Sequence, residues 1–357
     1  MSEKKTILVT GAGGFIGGWI AESAHLRGAA TVRAGVRTWA SAARIARFPL
    51  EIVLCDIMDK AQIAEALRGA DAVVHCAFGD DPRLIVDGTQ NMLEVAHAQG
   101  NKRFVYISSA EVYGPQTGDI RESDIPTAPI PSAYGTTKRT AEQRCQMFFE
   151  KGLPTTILRP SIVYGPFSKN WIVKFAARLQ SGNWGTFKGY GDGFCNLIYV
   201  DDLVSAVLLA LDQEQAIGKA FNVNGPERVT WNQYFEQFNT ALGLPKLREI
   251  EPGQSKSKTR TMGLMEKGAR FFLDRWGDQL MTLYMRVDLA NKIMKKVKGS
   301  INNTPDEREL EGLYGRMAYY VPEQARAVLG FAPQVNLETG LRFSAAWLAH
   351  HELLKQP

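Results

Sequence analysis

The feature that most constrains the fold stands at the start of the chain. Thr6-Ile-Leu-Val-Thr10 is a short apolar run, Gly11-Ala-Gly-Gly-Phe-Ile-Gly17 follows it, and a helical pattern runs from Gly18 to Arg27. A strand, a tight glycine turn and a helix start bring backbone N–H groups and a helix dipole to one point. That arrangement suits the pyrophosphate of a dinucleotide. The spacing Gly11, Gly14, Gly17 reads G-x-x-G-x-x-G, with Gly13 as a fourth glycine. It is not the G-x-G-x-x-G of the commoner dehydrogenases. A glycine pattern alone is weak, but a strand before it and a helix after it make it strong.

A second stretch carries chemistry. In Ser132-Ala-Tyr-Gly-Thr-Thr-Lys138, Tyr134 and Lys138 are four apart, so on a helix they share one face. A phenol with an ordinary pKa of about 10 is a poor base near neutrality. An ammonium group one turn away stabilises the phenolate and lowers that pKa, so the tyrosine can exchange a proton with a secondary alcohol or ketone. An isolated Y-x-x-x-K is more often a plain surface pair. The glycine turn in the same half of the chain changes its weight.

Further runs occur in a fixed order: Asp56, Val73-Val-His-Cys-Ala77, Ser108-Ser-Ala-Glu-Val-Tyr-Gly114, Leu158-Arg-Pro160 and Tyr199-Val-Asp-Asp202. With the glycine turn and Tyr134–Lys138, the chain resembles the extended short-chain dehydrogenase/reductase superfamily and its NAD-dependent epimerase/dehydratase branch. The resemblance covers most of the chain up to about Gly225 and speaks for fold and cofactor more than for substrate. It implies a cofactor site of Gly11, Gly13, Gly14, Phe15, Ile16 and Gly17, with Asp56 at the adenine edge and Ile57 beside the ring. Ala77, Ser108, Pro160 and Ile162 border the cofactor, and Lys138 bonds its ribose beside Tyr134. Ser108 has a plainer reading as a hydroxyl bonded to backbone. Ser109 is the hydroxyl that orients the substrate oxygen, completing a Ser109, Tyr134, Lys138 catalytic set.

The expected fold is α/β, a doubly wound, mostly parallel Rossmann sheet with a smaller helix-rich C-terminal substrate region. Residues 1–165 form the dinucleotide-binding domain, to which 194–224 return. Residues 166–357 form the substrate region, with a basic helical insertion at about 251–320. Strands are expected at Ala30–Val36, Glu51–Asp56, Ala72–Ala77, Arg103–Ser108, Leu153–Pro160 and Phe221–Gly225. Helices are expected from an Asp59 N-cap to Arg68, over Leu84–Gln99, over Leu203–Leu211, from Thr230 to Leu242, and on both sides of Pro333. His75 falls inside a buried run and reads as a core histidine. Asp201 and Asp202 look like a catalytic pair, but N-capping of the following helix explains one of them.

At the end of the second strand, where NAD-selective relatives carry an acid for the ribose 2′-hydroxyl, this chain has Val36 and then Arg37, with Arg44 further on. No carboxylate repels a 2′-phosphate and a guanidinium is at hand, so NADP(H) is favoured over NAD(H). Ala110 precedes Glu111 where sugar-nucleotide 4,6-dehydratases carry an Asp–Glu pair, so a paired-carboxylate elimination is not supported. Ile162 and Phe194-Cys-Asn196 replace an Asn and an Arg usual in nucleotide-sugar enzymes, and the connection from Phe78 to Asp87 is short. Phe78, Glu111, Tyr164, Phe194 and Asn196 are the candidate substrate residues. The favoured activity is reversible hydride transfer between NAD(P)(H) and a secondary alcohol or ketone. Nucleotide-sugar epimerisation through a 4-keto intermediate, and a non-catalytic cofactor-binding scaffold, are the alternatives.

No uncharged apolar stretch of about 18 residues is present to span a membrane, and Ser2-Glu-Lys-Lys5 leads directly into the first strand. A cytoplasmic protein is expected, with Cys55, Cys76, Cys145 and Cys195 reduced and no metal or nucleic-acid partner. The net charge of +5 is uneven: Lys246–Ser300 holds thirteen Lys and Arg against six Asp and Glu. Met265–Lys298 mixes that charge with aromatic residues, and two amphipathic helices are expected there. They would cap the substrate cleft, form a homodimer face or touch an anionic membrane surface, and the lid is favoured.

Overall fold

The computed structural model describes residues 4–79, 81–101, 103–124, 129–251, 305 and 309–354. The expected helices of Met265–Lys298 lie outside the described residues. The strands are β1 (Thr6–Thr10), β2 (Thr31–Val36), β3 (Glu51–Leu54), β4 (Ala72–His75), β5 (Arg103–Ile107), β6 (Gly118–Ile120), β7 (Thr155–Pro160), β8 (Ile162–Tyr164), β9 (Gly185–Phe187), β10 (Leu197–Tyr199), β11 (Ala220–Val223), β12 (Arg248–Ile250) and β13 (Ala318–Tyr320). Seven of them form a wholly parallel sheet in the order β11-β7-β5-β4-β1-β2-β3. The order reverses after β3, which leaves a crevice at the carboxyl ends of β1 and β4.

Nine α-helices are described: α1 (Phe15–Leu26), α2 (Lys60–Leu67), α3 (Pro82–Ala98), α4 (Ala133–Glu150), α5 (Lys174–Gln180), α6 (Val200–Asp212), α7 (Trp231–Ala241), α8 (Glu323–Leu329) and α9 (Leu337–His350). Strand alternation sorts the core. Ile7 and Val9 of β1 face a cluster with Ile20, Leu203 and Leu329, from α1, α6 and α8. Leu8 faces the opposite cluster with Ile63, Leu93 and Ala141, from α2, α3 and α4. Burial on both faces is why these strands read as continuous apolar runs.

The helix-rich lobe has its own aromatic core, in which Phe175, Trp184, Phe187, Trp231, Phe235 and Tyr314 pack together. The late chain returns to the sheet twice. β11 joins β7 at the sheet edge, and β13 pairs with β6 while α8 packs on β11 and α6. The second return falls outside the expected 194–224.

Two local expectations change. α3 starts at Pro82, two residues before Leu84, because Asp81 accepts from the Arg83 amide at 2.9 Å and proline fits the first helical position. Neither Asp201 nor Asp202 caps α6, whose N-cap position is Tyr199. Asp202 instead accepts from the amides of Gln334 and Val335 at 2.9 and 3.0 Å, and Asp201 pairs with Arg27 at 2.6 Å. Both aspartates are structural, through partners far along the chain. Among the described residues no helix is long and apolar enough to cross a membrane.

Candidate active site

The glycine turn is built on close backbone approaches. Gly11 has φ +66°, and a Cβ there would lie 2.9 Å from the Ala77 Cα; a Cβ on Gly17 would lie 2.4 Å from the Gly11 carbonyl oxygen. Gly13 borders the Ser41 carbonyl, and Phe15 and Ile16 begin α1 with their side chains against the core. Gly14 is the N-cap of α1 and supplies no side-chain bond to its first turn. Those N–H groups therefore remain available to an anion.

Thr10 ties this turn to the end of β4. Its Oγ1 accepts from the amides of Cys76 at 3.1 Å and Ala77 at 3.2 Å. Both acceptor directions are then used, so the hydroxyl donates to His75 Nδ1, 2.8 Å away. His75 is neutral, its pKa pushed down to about 3 by burial first and by the Lys138 charge second. It is the core histidine expected.

The remaining cofactor candidates divide. Asp56 is half-buried at the end of β3 and accepts from the Met58 amide at 3.0 Å. The Ile57 side chain is enclosed against Gly88 of α3. Arg37 is exposed directly after β2. Arg44 is committed elsewhere: Glu22 accepts from it at 2.7 and 3.0 Å, and its guanidinium stacks 3.8 Å from the Phe167 ring. Ser108 is corrected too, since its buried hydroxyl has no hydrogen-bond partner among the described residues. An orphaned hydroxyl at the sheet edge and uncapped amides across the crevice fit a dinucleotide.

Helix α4 carries the proton-transfer candidates. Ser132 Oγ caps it by accepting from the Gly135 amide at 3.2 Å. Gly135 lets the helix approach the turn after β5 closely: a Cβ there would lie 2.5 Å from the Glu111 carbonyl oxygen. Tyr134 is 37% exposed, with Phe78 edge-on at 5.7 Å and the Ser109 hydroxyl close enough to act on its phenol. Lys138, one turn on, is buried; its Nζ donates to the Ile107 carbonyl at 2.7 Å and lies 4.8 Å from the Tyr106 ring centre. Burial lowers its pKa to about 8.

Tyr134 departs from the sequence reading. Its pKa is raised, by desolvation first and by the Glu111 charge, against the opposing Ser109 bond. The Lys138 ammonium points at a backbone carbonyl, so it does not draw the phenol down.

The substrate side is more scattered. Pro160 ends β7 buried, and Ile162 pairs with Leu197 in the short β8–β10 ladder. Tyr164 is 2% exposed and packs against Gly340 of α9, which makes it a core residue. Asn196 is also structural: its amide donates to the Ala318 carbonyl at 2.7 Å, and its oxygen accepts from the Tyr320 amide and from Asn224, both at 3.1 Å. Phe194 packs edge-on to Tyr319 at 6.1 Å. Its amide donates to the Arg316 carbonyl at 2.9 Å.

Arg316 is the residue that sequence reasoning missed. Its Nη1 stands 3.3 Å from Glu111 Oε1, and its Nη2 donates to the Gly114 carbonyl. An arginine thus reaches Phe194 and the turn after Ser109 from 122 and 205 residues away. No local spacing signals it. Among the described residues no cluster of His, Cys, Asp and Glu could hold a metal.

A family model described as "NAD dependent epimerase/dehydratase family" matches residues 7–224. A 2-alkyl-3-oxoalkanoate reductase from Stenotrophomonas maltophilia (strain K279a) is 24% identical over 358 residues, covering 94% of this chain and 97% of that protein. Cinnamoyl-CoA reductase 1 from Oryza sativa subsp. japonica is 30% identical over 247 residues, covering 61% of this chain and 70% of the relative. Among solved structures, a UDP-glucuronic acid 4-epimerase from Bacillus cereus in complex with NAD superposes with a TM-score of 0.70. It is 19% identical and spans 97% of this chain and 99% of its own, a likeness of fold.

Proposed function

This chain belongs to the NAD-dependent epimerase/dehydratase family and is an enzyme of the extended short-chain dehydrogenase type, and on that premise we propose that it is an NADP(H)-dependent oxidoreductase. It interconverts a ketone and a secondary alcohol with net change of redox state. The observation that carries this reading is the grouping of Ser109, Tyr134 and Lys138, in which the serine hydroxyl acts on the tyrosine phenol and a buried ammonium stands one helical turn on.

In the reducing direction a bound nicotinamide supplies the hydride. Tyr134 gives its phenolic proton to the carbonyl oxygen, and Ser109 donates a hydrogen bond to the same atom. A raised phenol pKa keeps Tyr134 protonated near neutrality, the form this direction needs. The phenolate left behind takes its next proton from solvent. Lys138, whose buried ammonium donates to the Ile107 carbonyl, would hold the cofactor ribose.

The choice of NADP(H) rests on Val36 and exposed Arg37 alone, since Arg44 is held by Glu22. The choice of a ketone over a nucleotide sugar rests on Ile162 and Phe194 and agrees with two relatives named as reductases. Assaying NADPH oxidation over a ketone panel tests the reading. Tyr134→Phe should lower kcat about 10²–10⁴-fold with NADPH binding intact, the usual effect of losing a general acid. Unchanged turnover in that variant, or no turnover by wild type on any ketone, overturns it.

A further inference from the structure

We propose that the Glu111 carboxylate holds the place of a substrate carboxylate on Arg316, so that the ketone this enzyme reduces is an oxo acid. The inference rests on the oxidoreductase reading above and names its substrate class.

Two features of Arg316 make it a receptor. First, the chain fixes it independently of Glu111. Its carbonyl accepts from the Phe194 amide at 2.9 Å, its Nη2 donates to the Gly114 carbonyl, and its guanidinium lies 5.7 Å from the Tyr320 ring centre. Gly193 permits this seat, since a Cβ there would fall 2.6 Å from the Arg316 amide. Second, its hydrogen bonding is incomplete. Its side chain is 17% exposed, and its buried Nε has no partner among the described residues. A guanidinium in that state favours a carboxylate, which it can grip through two parallel bonds.

Glu111 fills this role poorly. Its carboxylate makes a single contact of 3.3 Å and its side chain is 42% exposed. The buried pair below the same turn is different in kind. Arg159 holds Glu142 through three hydrogen bonds of 2.8 to 3.3 Å, with both side chains less than a tenth exposed. A single long contact to a half-open acid is cheap to release, and the acid can turn into solvent. An incoming carboxylate then exchanges one anion for another, so no extra charge is left in the cleft.

The position suits an acid joined to the reacting ketone by a few bonds. The Glu111 amide donates to Ser109 Oγ at 3.2 Å, a Cβ on Gly135, next to Tyr134, would lie 2.5 Å from the Glu111 carbonyl oxygen, and the Glu111 charge is felt at the Tyr134 phenol. The carboxylate receptor and the proton donor therefore both adjoin the turn that follows β5.

The two neighbours make predictions of opposite sign. With NADPH and either a freshly prepared 3-oxoalkanoate or its methyl ester, wild type should show the lower KM for the acid. Arg316→Gln should raise KM for the acid about 10- to 100-fold, the loss expected of a charge-assisted bond, and leave the ester's KM alone. Glu111→Gln should lower KM for the acid, because it removes the competing carboxylate. A structural ion pair would make both variants worse for both substrates, and equal KM values for acid and ester in wild type would also overturn the proposal. Should neither ketone turn over, the activity reading falls, and binding still decides this inference. Titrating the non-reducible alkanoate into the enzyme with NADP⁺ should show binding that Arg316→Gln abolishes and Glu111→Gln strengthens. No binding by wild type contradicts it.

Discussion

The turn assigned to the cofactor and the wall of side chains around the turn after β5 are built in opposite ways. The first is made of backbone: Gly11 against Ala77, Gly17 against Gly11, and the amides of Cys76 and Ala77 on Thr10. Its parts lie within the first 77 residues. The second is made of side chains that reach across the chain, with Arg159 on Glu142 and Tyr113, Asn222 on the Ile120 and Val321 carbonyls, and Arg316 on Glu111. A backbone cradle tolerates changes of neighbouring side chains but no added Cβ. A side-chain wall can be re-specified one residue at a time, and it fails when a buried partner is removed.

The largest expected effect comes from the wall. Glu142→Leu leaves the Arg159 guanidinium buried without its carboxylate and should cost about 3–5 kcal/mol of stability, as for other broken buried pairs. Denaturant unfolding measures it, and Glu142→Leu combined with Arg159→Met should recover much of the loss. A single variant as stable as wild type would remove the keystone from this comparison. In the cradle, Gly17→Ala places a Cβ against the Gly11 carbonyl. That overpacking costs roughly 1–3 kcal/mol, which should appear as weaker binding of NADPH and NADH alike in fluorescence titration.

Arg37→Ala has a narrower effect. NADPH affinity should fall by on the order of 1–3 kcal/mol while NADH affinity holds, because only the 2′-phosphate loses a charge-assisted bond. Equal affinities for the two cofactors in wild type would sink that assignment. The smallest effects are in pH profiles. The log of kcat/KM for reduction should fall as pH rises through about 8, where buried Lys138 loses its proton. For alcohol oxidation, which needs the Tyr134 phenolate, Glu111→Gln should move the rising limb to lower pH. Removing that charge relieves part of the upward shift of the phenol.

The same contrast decides what the sequence made legible. β1, the glycine turn, the Asp59 and Thr230 caps and the Ser132-capped helix of Tyr134 follow from residues within one or two turns of each other. Asp202 could be seen to be structural but not to clamp residues 334 and 335, since its partners lie 132 and 133 positions away. Arg44 read as available because nothing local reveals Glu22, and Asn196 read as a substrate group because nothing local reveals Ala318 and Tyr320. The three-residue strands β6, β8, β9, β10, β12 and β13 are too short to show a period. Arg316 combines both obstacles, reaching Glu111 from a point 205 residues on, just ahead of a strand with no signature.

The central claim is net hydride transfer to a ketone with Tyr134 as proton donor, and isotope transfer tests it most directly. Wild-type enzyme would be given NADPH carrying deuterium at the transferable position together with a ketone it turns over. The account predicts one deuterium at the carbinol carbon of the product for each NADPH consumed, with the signal lost in Tyr134→Phe. Inversion of a sugar hydroxyl with no NADPH consumed and no deuterium in the product would contradict it.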